Sequence, residues 1–189
     1  INLIATTSSD VRLNITNDKS TLKMNIQSMV DTYNDLNNLF TTFTSTSSED
    51  ELGGALGDDT SMVRFLRDQI RTAIFADSST KSGDITAMRD LGISVDKSGT
   101  MTFTSTTYDA AILASYNDIV TMLTADTSNE SLFTTTNKGL AQDIATTLGN
   151  FTDSDGIVTT RSTTANSDLE DHKEELAELE TRMESVYQR

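Results

Sequence analysis

Residues 21–43 read TLKMNIQSMVDTYNDLNNLFTTF, and here Leu22, Ile26, Met29, Tyr33, Leu36, Phe40 and Phe43 follow one another at alternating steps of four and three. That spacing places all seven on one stripe of an α-helix, and kept up over three heptads it is the pattern of a helix that packs on other helices. Asp18 or Ser20 stands where its N-cap is needed, because a short oxygen-bearing side chain can accept from the unsatisfied N–H groups of the first turn. The rest of the chain can then be read outward by asking what covers this stripe.

Upstream, Ile1–Ala5 and Val11–Thr16 alternate apolar and polar residues with a period of two, separated by the turn-like Thr6–Asp10. They read as a strand pair, and because two strands alone are marginal in water they belong to a larger β-rich unit. Downstream, Ser45–Asp59 is acidic and carries three glycines, so it reads as a loop of the length that is usually functional or mobile, with Gly53–Asp59 its most mobile part. Thr60 is placed to cap a second helix bearing Val63, Leu66, Ile70 and Ala73, with Phe65 and Ile74 alongside. Around 91–104 the period returns to two: Ile93 and Val95, then Met101 and Phe103, put four apolar residues on one face of a hairpin turning at Asp96-Lys97-Ser98-Gly99.

Three more helices complete the reading. One carries Tyr108, Ile112, Ser115, Ile119 and Leu123 behind a cap at Thr106 or Thr107; the next carries Phe133, Leu140, Ile144, Leu148 and Phe151. Beyond Asp153-Ser154-Asp155-Gly156 the chain from Ile157 to Arg189 has neither Gly nor Pro and reads as one long helix. Its seam runs Val158, Ser162, Ala165, Leu169, His172, Leu176, Leu179, Met183, Val186. The first half is small and polar and the second half is a coiled-coil stripe, so the two halves should have different partners. The expected partner of the stripe Leu169, Leu176, Leu179, Met183 and Val186 is the seam of the first helix, at Ile26, Met29, Tyr33 and Leu36. The fold class expected is mainly α with an α+β element: a helical bundle with coiled-coil-like helices and one small β-hairpin, plus N-terminal strands from an adjoining β-rich domain.

Composition narrows the function. The 189 residues have a formal net charge of -15, so a nucleic acid or an anionic membrane surface would be repelled and neither is expected as a partner. No apolar run approaches the roughly 20 residues of a membrane span, and the opening residues have neither a basic n-region nor an h-region. With no Cys there is no disulfide framework, thiolate metal site or cysteine nucleophile. Ser and Thr supply 53 residues, a hydroxyl-rich surface that suits an extracellular structural protein.

Chemistry finds no foothold. His172 is the single histidine, and its spacing from Asp168 and Glu175 on the last helix could in principle hold a metal; but the chain has no second His or Cys to complete such a site, and acidic residues beside a heptad seam are ordinary solvated positions. Asp153-x-Asp155-Gly156 opens like a calcium loop but lacks the closing glutamate, and Gly53–Gly57 lacks the lysine and spacing of a phosphate cradle. Asn14, Asn129 and Asn150 head Asn-x-Ser/Thr triplets that a Thr-rich chain supplies by accident. No catalytic residue, metal or cofactor is expected, and the chain is not read as an enzyme.

Taken in order, the features resemble the bacterial flagellar filament cap protein family, also called the hook-associated cap proteins. The resemblance rests on the strand pair ending at Thr16, then Met29-Val30 and Tyr33-Asn34-Asp35-Leu36, then Gly54-Ala55-Leu56-Gly57-Asp58. It continues with Leu91-Gly92-Ile93 and Ser98-Gly99-Thr100-Met101, with Lys138-Gly139-Leu140-Ala141, and with Gly156-Ile157-Val158 and Arg161. The Gly-Ala-Leu segment is one residue shorter than the family's, with Asp59 where Ser is frequent. The resemblance implies that residues 1–18 end an outer β-rich domain and that 19–189 form a helical leg domain with the inserted hairpin. It implies a homo-oligomer at the distal end of the flagellum that promotes polymerisation of exported flagellin, in company with other hook-associated proteins. Such a protein is extracellular, at the flagellum tip, and secreted without a cleaved signal peptide. The helix-packing residues would be Leu22, Ile26, Met29, Tyr33 and Leu36 on the first helix and Leu169, Leu176, Leu179, Met183 and Val186 on the last. The competing reading is a generic extracellular coiled-coil adhesin or phage-tail-like interaction module, which would not need a hairpin between its helices.

Overall fold

The computed structural model describes residues 18–47, 49–125, 127 and 136–188. The strand pair expected within 1–16, Phe133, and the triplets at Asn14 and Asn129 lie outside the described residues. The long seam is helix α1, Lys19–Thr44, and its N-cap is Asp18, whose Oδ1 accepts the N–H groups of Ser20 and Thr21 at 3.1 Å each. The Thr21 and Ser20 hydroxyls donate to the same carboxylate, and together these bonds hold its pKa well below the usual range. Ile26 and Val30 of α1 are buried, while Leu22, Met29, Tyr33, Leu36 and Phe40 are half-buried against the same core.

The described residues of the expected loop, 45–47 and 49–59, carry backbone hydrogen bonds of their own. Two of them return to the end of α1: the Gly54 N–H reaches the Thr42 carbonyl at 3.2 Å and the Leu56 N–H reaches that of Phe43 at 2.7 Å. The last carbonyls of a helix have no partners within it, and this segment supplies them. Next comes helix α2, Thr60–Phe75, with Asp59 in place of Thr60 at the N-cap position. It buries Met62, Val63, Leu66, Ile70 and Ile74. Arg67 fastens it to α1 by donating to the Asn37 carbonyl (3.1 Å) and the Thr41 hydroxyl (2.8 Å) and lying over the Phe40 ring.

A 3-10 turn at Met88–Leu91 ends at Gly92, whose φ of +84° is the left-handed conformation that an L side chain rarely adopts. Strands β1, Ile93–Val95, and β2, Met101–Phe103, then form the antiparallel hairpin, pairing Ile93 with Phe103 and Val95 with Met101. This register puts the four expected apolar residues on one face, with Ile93 and Met101 fully buried. A side chain of α1 fixes the hairpin in place: Asn34 Nδ2 donates to the Met101 carbonyl (2.9 Å) and Asn34 Oδ1 accepts the Met101 N–H (2.8 Å). An amide side chain carries one acceptor and two donors, so it can pair with a strand as another strand would.

The helix expected from Tyr108 to Leu123 is two helices, α3 (Ser105–Ala114) and α4 (Tyr116–Thr124). Ser115, with φ -140° and ψ 42°, caps the end of the first and the start of the second, a position that suits a residue whose hydroxyl competes with helical hydrogen bonds. Helices α5, Leu140–Thr152, and α6, Ile157–Tyr187, complete the chain. One core runs through α1 to α5 and the hairpin, with Leu91, Tyr108, Ile119, Met122 and Leu140 at most 1% exposed.

The 3-10 turn carries an acid-sensitive contact. Burial pushes the Asp90 carboxyl up, but the Thr86 N–H and hydroxyl and the Ala87 N–H all donate to it and leave its pKa below the ordinary value. A carboxyl whose folded pKa is depressed contributes stability above its unfolded pKa of roughly 4 and loses it as pH falls through the folded value. Asp90→Asn should therefore flatten the acid limb of the stability curve below about pH 4, measured by urea unfolding across that range. An acid limb identical to wild type would show that this carboxylate contributes nothing.

Candidate assembly surface

Helix α6 leaves the bundle through a tight turn. The Gly156 N–H donates to the Asp153 carbonyl at 2.8 Å, and a Cβ added at Gly156 would lie 2.4 Å from the Phe151 carbonyl oxygen, so only glycine lets the two helices turn this closely. The first turns of α6 are held at its base. Thr159 Oγ1 donates to the Thr152 carbonyl (2.9 Å), and Arg161 lies 3.6 Å from Asp59, the cap residue of α2. The principal packing of α6 is against α5.

Beyond that base the expected packing is absent and needs correcting. Leu169, Leu176, Leu179, Met183 and Val186 do not pack on α1: α6 has no buried residue, and these five side chains are 46–67% exposed. The reason is occupancy, since the inner face of α1 is already covered by β2, α2 and the residues of α3 to α5 that share the core. Of the ten helix-packing residues, the structure thus brings Leu22, Ile26, Met29, Tyr33 and Leu36 into one core and leaves the α6 group in solvent.

A second exposed apolar group gathers residues that the sequence assigns to three separate helix stripes, on α2, α5 and α6, without showing that they stay exposed. Phe65 is 46% exposed and stacks edge-on against Phe151 at 6.4 Å, while Leu148 and Val158 are 40% and 39% exposed. Helical periodicity cannot reveal such positions when they lie at the margin of a core-facing stripe. His172 sits on the exposed length of α6 with Nδ1 3.4 Å from Glu175, and the described residues contain no group of three His, Asp or Glu arranged to hold a metal ion. No described helix is long and apolar enough to cross a membrane. The arrangement offers surfaces for packing.

The family described as "Flagellar hook-associated protein 2 C-terminus" matches residues 1–189, the entire chain. The chain belongs to this family. It is 27% identical over 184 residues to the B-type flagellar hook-associated protein 2 of Pseudomonas aeruginosa, covering 95% of this chain and 36% of that protein. It is 24% identical over 164 residues to the flagellar hook-associated protein 2 of Aeromonas caviae, covering 84% of this chain and 32% of that one. The chain therefore spans about a third of the length of the curated relatives it matches. Among solved structures it is similar to the D1-D2-D3 domains of the flagellar cap protein FliD from Escherichia coli, with a TM-score of 0.62 at 20% identity over 79% of this chain and 37% of that one. That likeness confirms the mainly helical fold with its small antiparallel hairpin.

Proposed function

We propose that this chain is the leg-forming C-terminal part of a filament cap protein that oligomerises at the distal end of the flagellum and promotes polymerisation of exported flagellin. Residues 19–189 are the leg domain, with the hairpin at about 91–104 inserted in it, and residues 1–18 end an outer β-rich domain. The partners are other copies of the protein, flagellin and other hook-associated proteins, and the place of action is extracellular, at the tip, after secretion without a cleaved signal peptide. The role is structural and not enzymatic. The observation that carries this reading is the family match along the whole chain; its structural support is the division of labour between the two seams. Leu22, Ile26, Met29, Tyr33 and Leu36 hold α1 in the bundle, whereas Leu169, Leu176, Leu179, Met183 and Val186 are available for a helix that joins in assembly.

The test is Leu176→Asp, with Glu178→Gln as the matched control. Because Leu176 is 56% exposed, the substitution should change the stability of the isolated chain by no more than about 0.5 kcal/mol in dilute solution, read as an unchanged melting temperature. In the full-length protein it should reduce filament growth and leave flagellin in the medium as monomer, because a buried seam in the assembly cannot accept a carboxylate. Glu178→Gln should be neutral in both measurements. Wild-type motility with Leu176→Asp would overturn the assembly role of the stripe.

A further inference from the structure

Helix α2 runs against the charge of the rest of the chain. Its residues 64–71 read RFLRDQIR, so Arg64, Arg67 and Arg71 stand against the single acid Asp68 in a protein of formal net charge -15. At about 100° per residue the three arginines fall within an arc of about 60° and span about 10 Å of helix. That arc borders the buried face of Val63, Leu66, Ile70 and Ile74 on the side of α1, where Arg67 is bonded. Phe65, which marks the side of α5, lies about 130° away around the helix, so the row is separate from the exposed apolar group there and from the α6 stripe.

Arg67 is already fixed in place. Its Nη2 donates to the Asn37 carbonyl at 3.1 Å and to the Thr41 hydroxyl at 2.8 Å, its guanidinium lies 5.6 Å over the Phe40 ring, and Nη1 has no partner among the described residues. Arg64 is exposed and makes no side-chain hydrogen bond or ion pair among the described residues. Arg71 holds only Asp68, 3.0 Å away, with the two side chains 52% and 56% exposed, and such a pair is worth little. Other cations are matched across the fold or along a helix: Lys23 by Asp109, Arg89 by Asp77 and Lys173 by Glu170.

A guanidinium offers a planar fork of donors that fits a carboxylate, and one held in advance loses less freedom on binding. Carboxylates spaced three and four residues apart on a helix also span about 10 Å along one face, so a single acidic helix can meet all three arginines. The remaining charge of the chain narrows the source. A nucleic acid would set its phosphates against that charge, and a second copy would bring a net -15 of its own, whereas a protein carrying an acidic segment on a less charged surface avoids both repulsions.

We infer that the row Arg64, Arg67 and Arg71 is a docking surface for an acidic helical segment of a different protein, a second interface beyond the assembly role of the α6 stripe. The test is titration of hexaglutamate into the 189-residue chain, followed by the NMR signals of the arginine side chains. Saturable shifts should appear at the three arginines and weaken as salt is raised from about 0.05 M to about 0.5 M. Arg64→Glu combined with Arg71→Glu should weaken binding about tenfold or more, since two attractive contacts become repulsive, with circular dichroism confirming unchanged helix content. Arg64→Gln combined with Arg71→Gln should fall between the two, and Arg67 is left in place because it fastens α2 to α1. Shifts absent from the row, binding indifferent to the reversal, or equal binding of heparin there would overturn the inference. So would self-association of the wild-type chain that the same reversal abolishes, because the acidic segment would then come from a second copy. Leu176→Asp should leave hexaglutamate binding unchanged, so the docking row and the stripe fail separately.

Discussion

Gly139→Ala is expected to lower stability by about 3 kcal/mol or more, from backbone strain together with forced displacement of packed backbone. Gly139 starts α5 with φ +80° and ψ 178°, a region almost reserved for glycine, and its carbonyl accepts the N–H groups of Gln142 and Asp143 at 3.1 Å. A Cβ there would lie 2.5 Å from both the carbonyl carbon and oxygen of Leu123 and 2.6 Å from the Thr124 nitrogen. These are backbone atoms in the last turn of α4, which cannot rotate away as a side-chain tip can. Urea unfolding of the variant should show a lower midpoint with an unchanged slope. A loss under about 1 kcal/mol would mean that α4 and α5 can separate freely where Gly139 meets Leu123.

Tyr108→Ala should cost about 3–5 kcal/mol, while Tyr108→Phe should cost only about 1 kcal/mol. The ring is 1% exposed, packs edge-on against Phe103 at 5.6 Å, and lies under the Lys23 ammonium at 5.8 Å. The same Lys23 pairs with Asp109 at 2.7 Å, and the Tyr108 hydroxyl donates to the Lys19 carbonyl at 3.2 Å. The ring thus joins the start of α1 to the hairpin and α3, and its removal empties the point where three elements meet. Equal losses for the two variants would put the effect in the hydroxyl and not in the ring.

The α1 seam is legible in the sequence because its residues meet a core that the chain itself supplies, so period and burial agree from Leu22 to Phe40. The hairpin is legible for a similar reason: alternation over a few residues admits one register that places Ile93, Val95, Met101 and Phe103 together. The α6 stripe has the same period as α1, yet period reports only that a face is apolar and does not say which molecule covers it. The break at Ser115 and the return of Gly54 and Leu56 onto the end of α1 are hidden because both depend on backbone hydrogen bonds that leave no trace in hydropathy. Asn34 is hidden because an amide that pairs with a distant strand looks, in sequence, like any polar residue on a helix surface.

The turn at Asp153–Gly156 acts as a pivot because of the length of the helix beyond it. Helix α6 has 31 residues, which at about 1.5 Å per residue makes an arm of about 46 Å anchored only near its origin. By that length alone, each degree of tilt at the turn would displace the tip by about 0.8 Å, so the set of the base, where Arg161 meets Asp59, decides where Met183 and Val186 stand. A small rearrangement at the base would in this way be geared up into a large displacement at the far end.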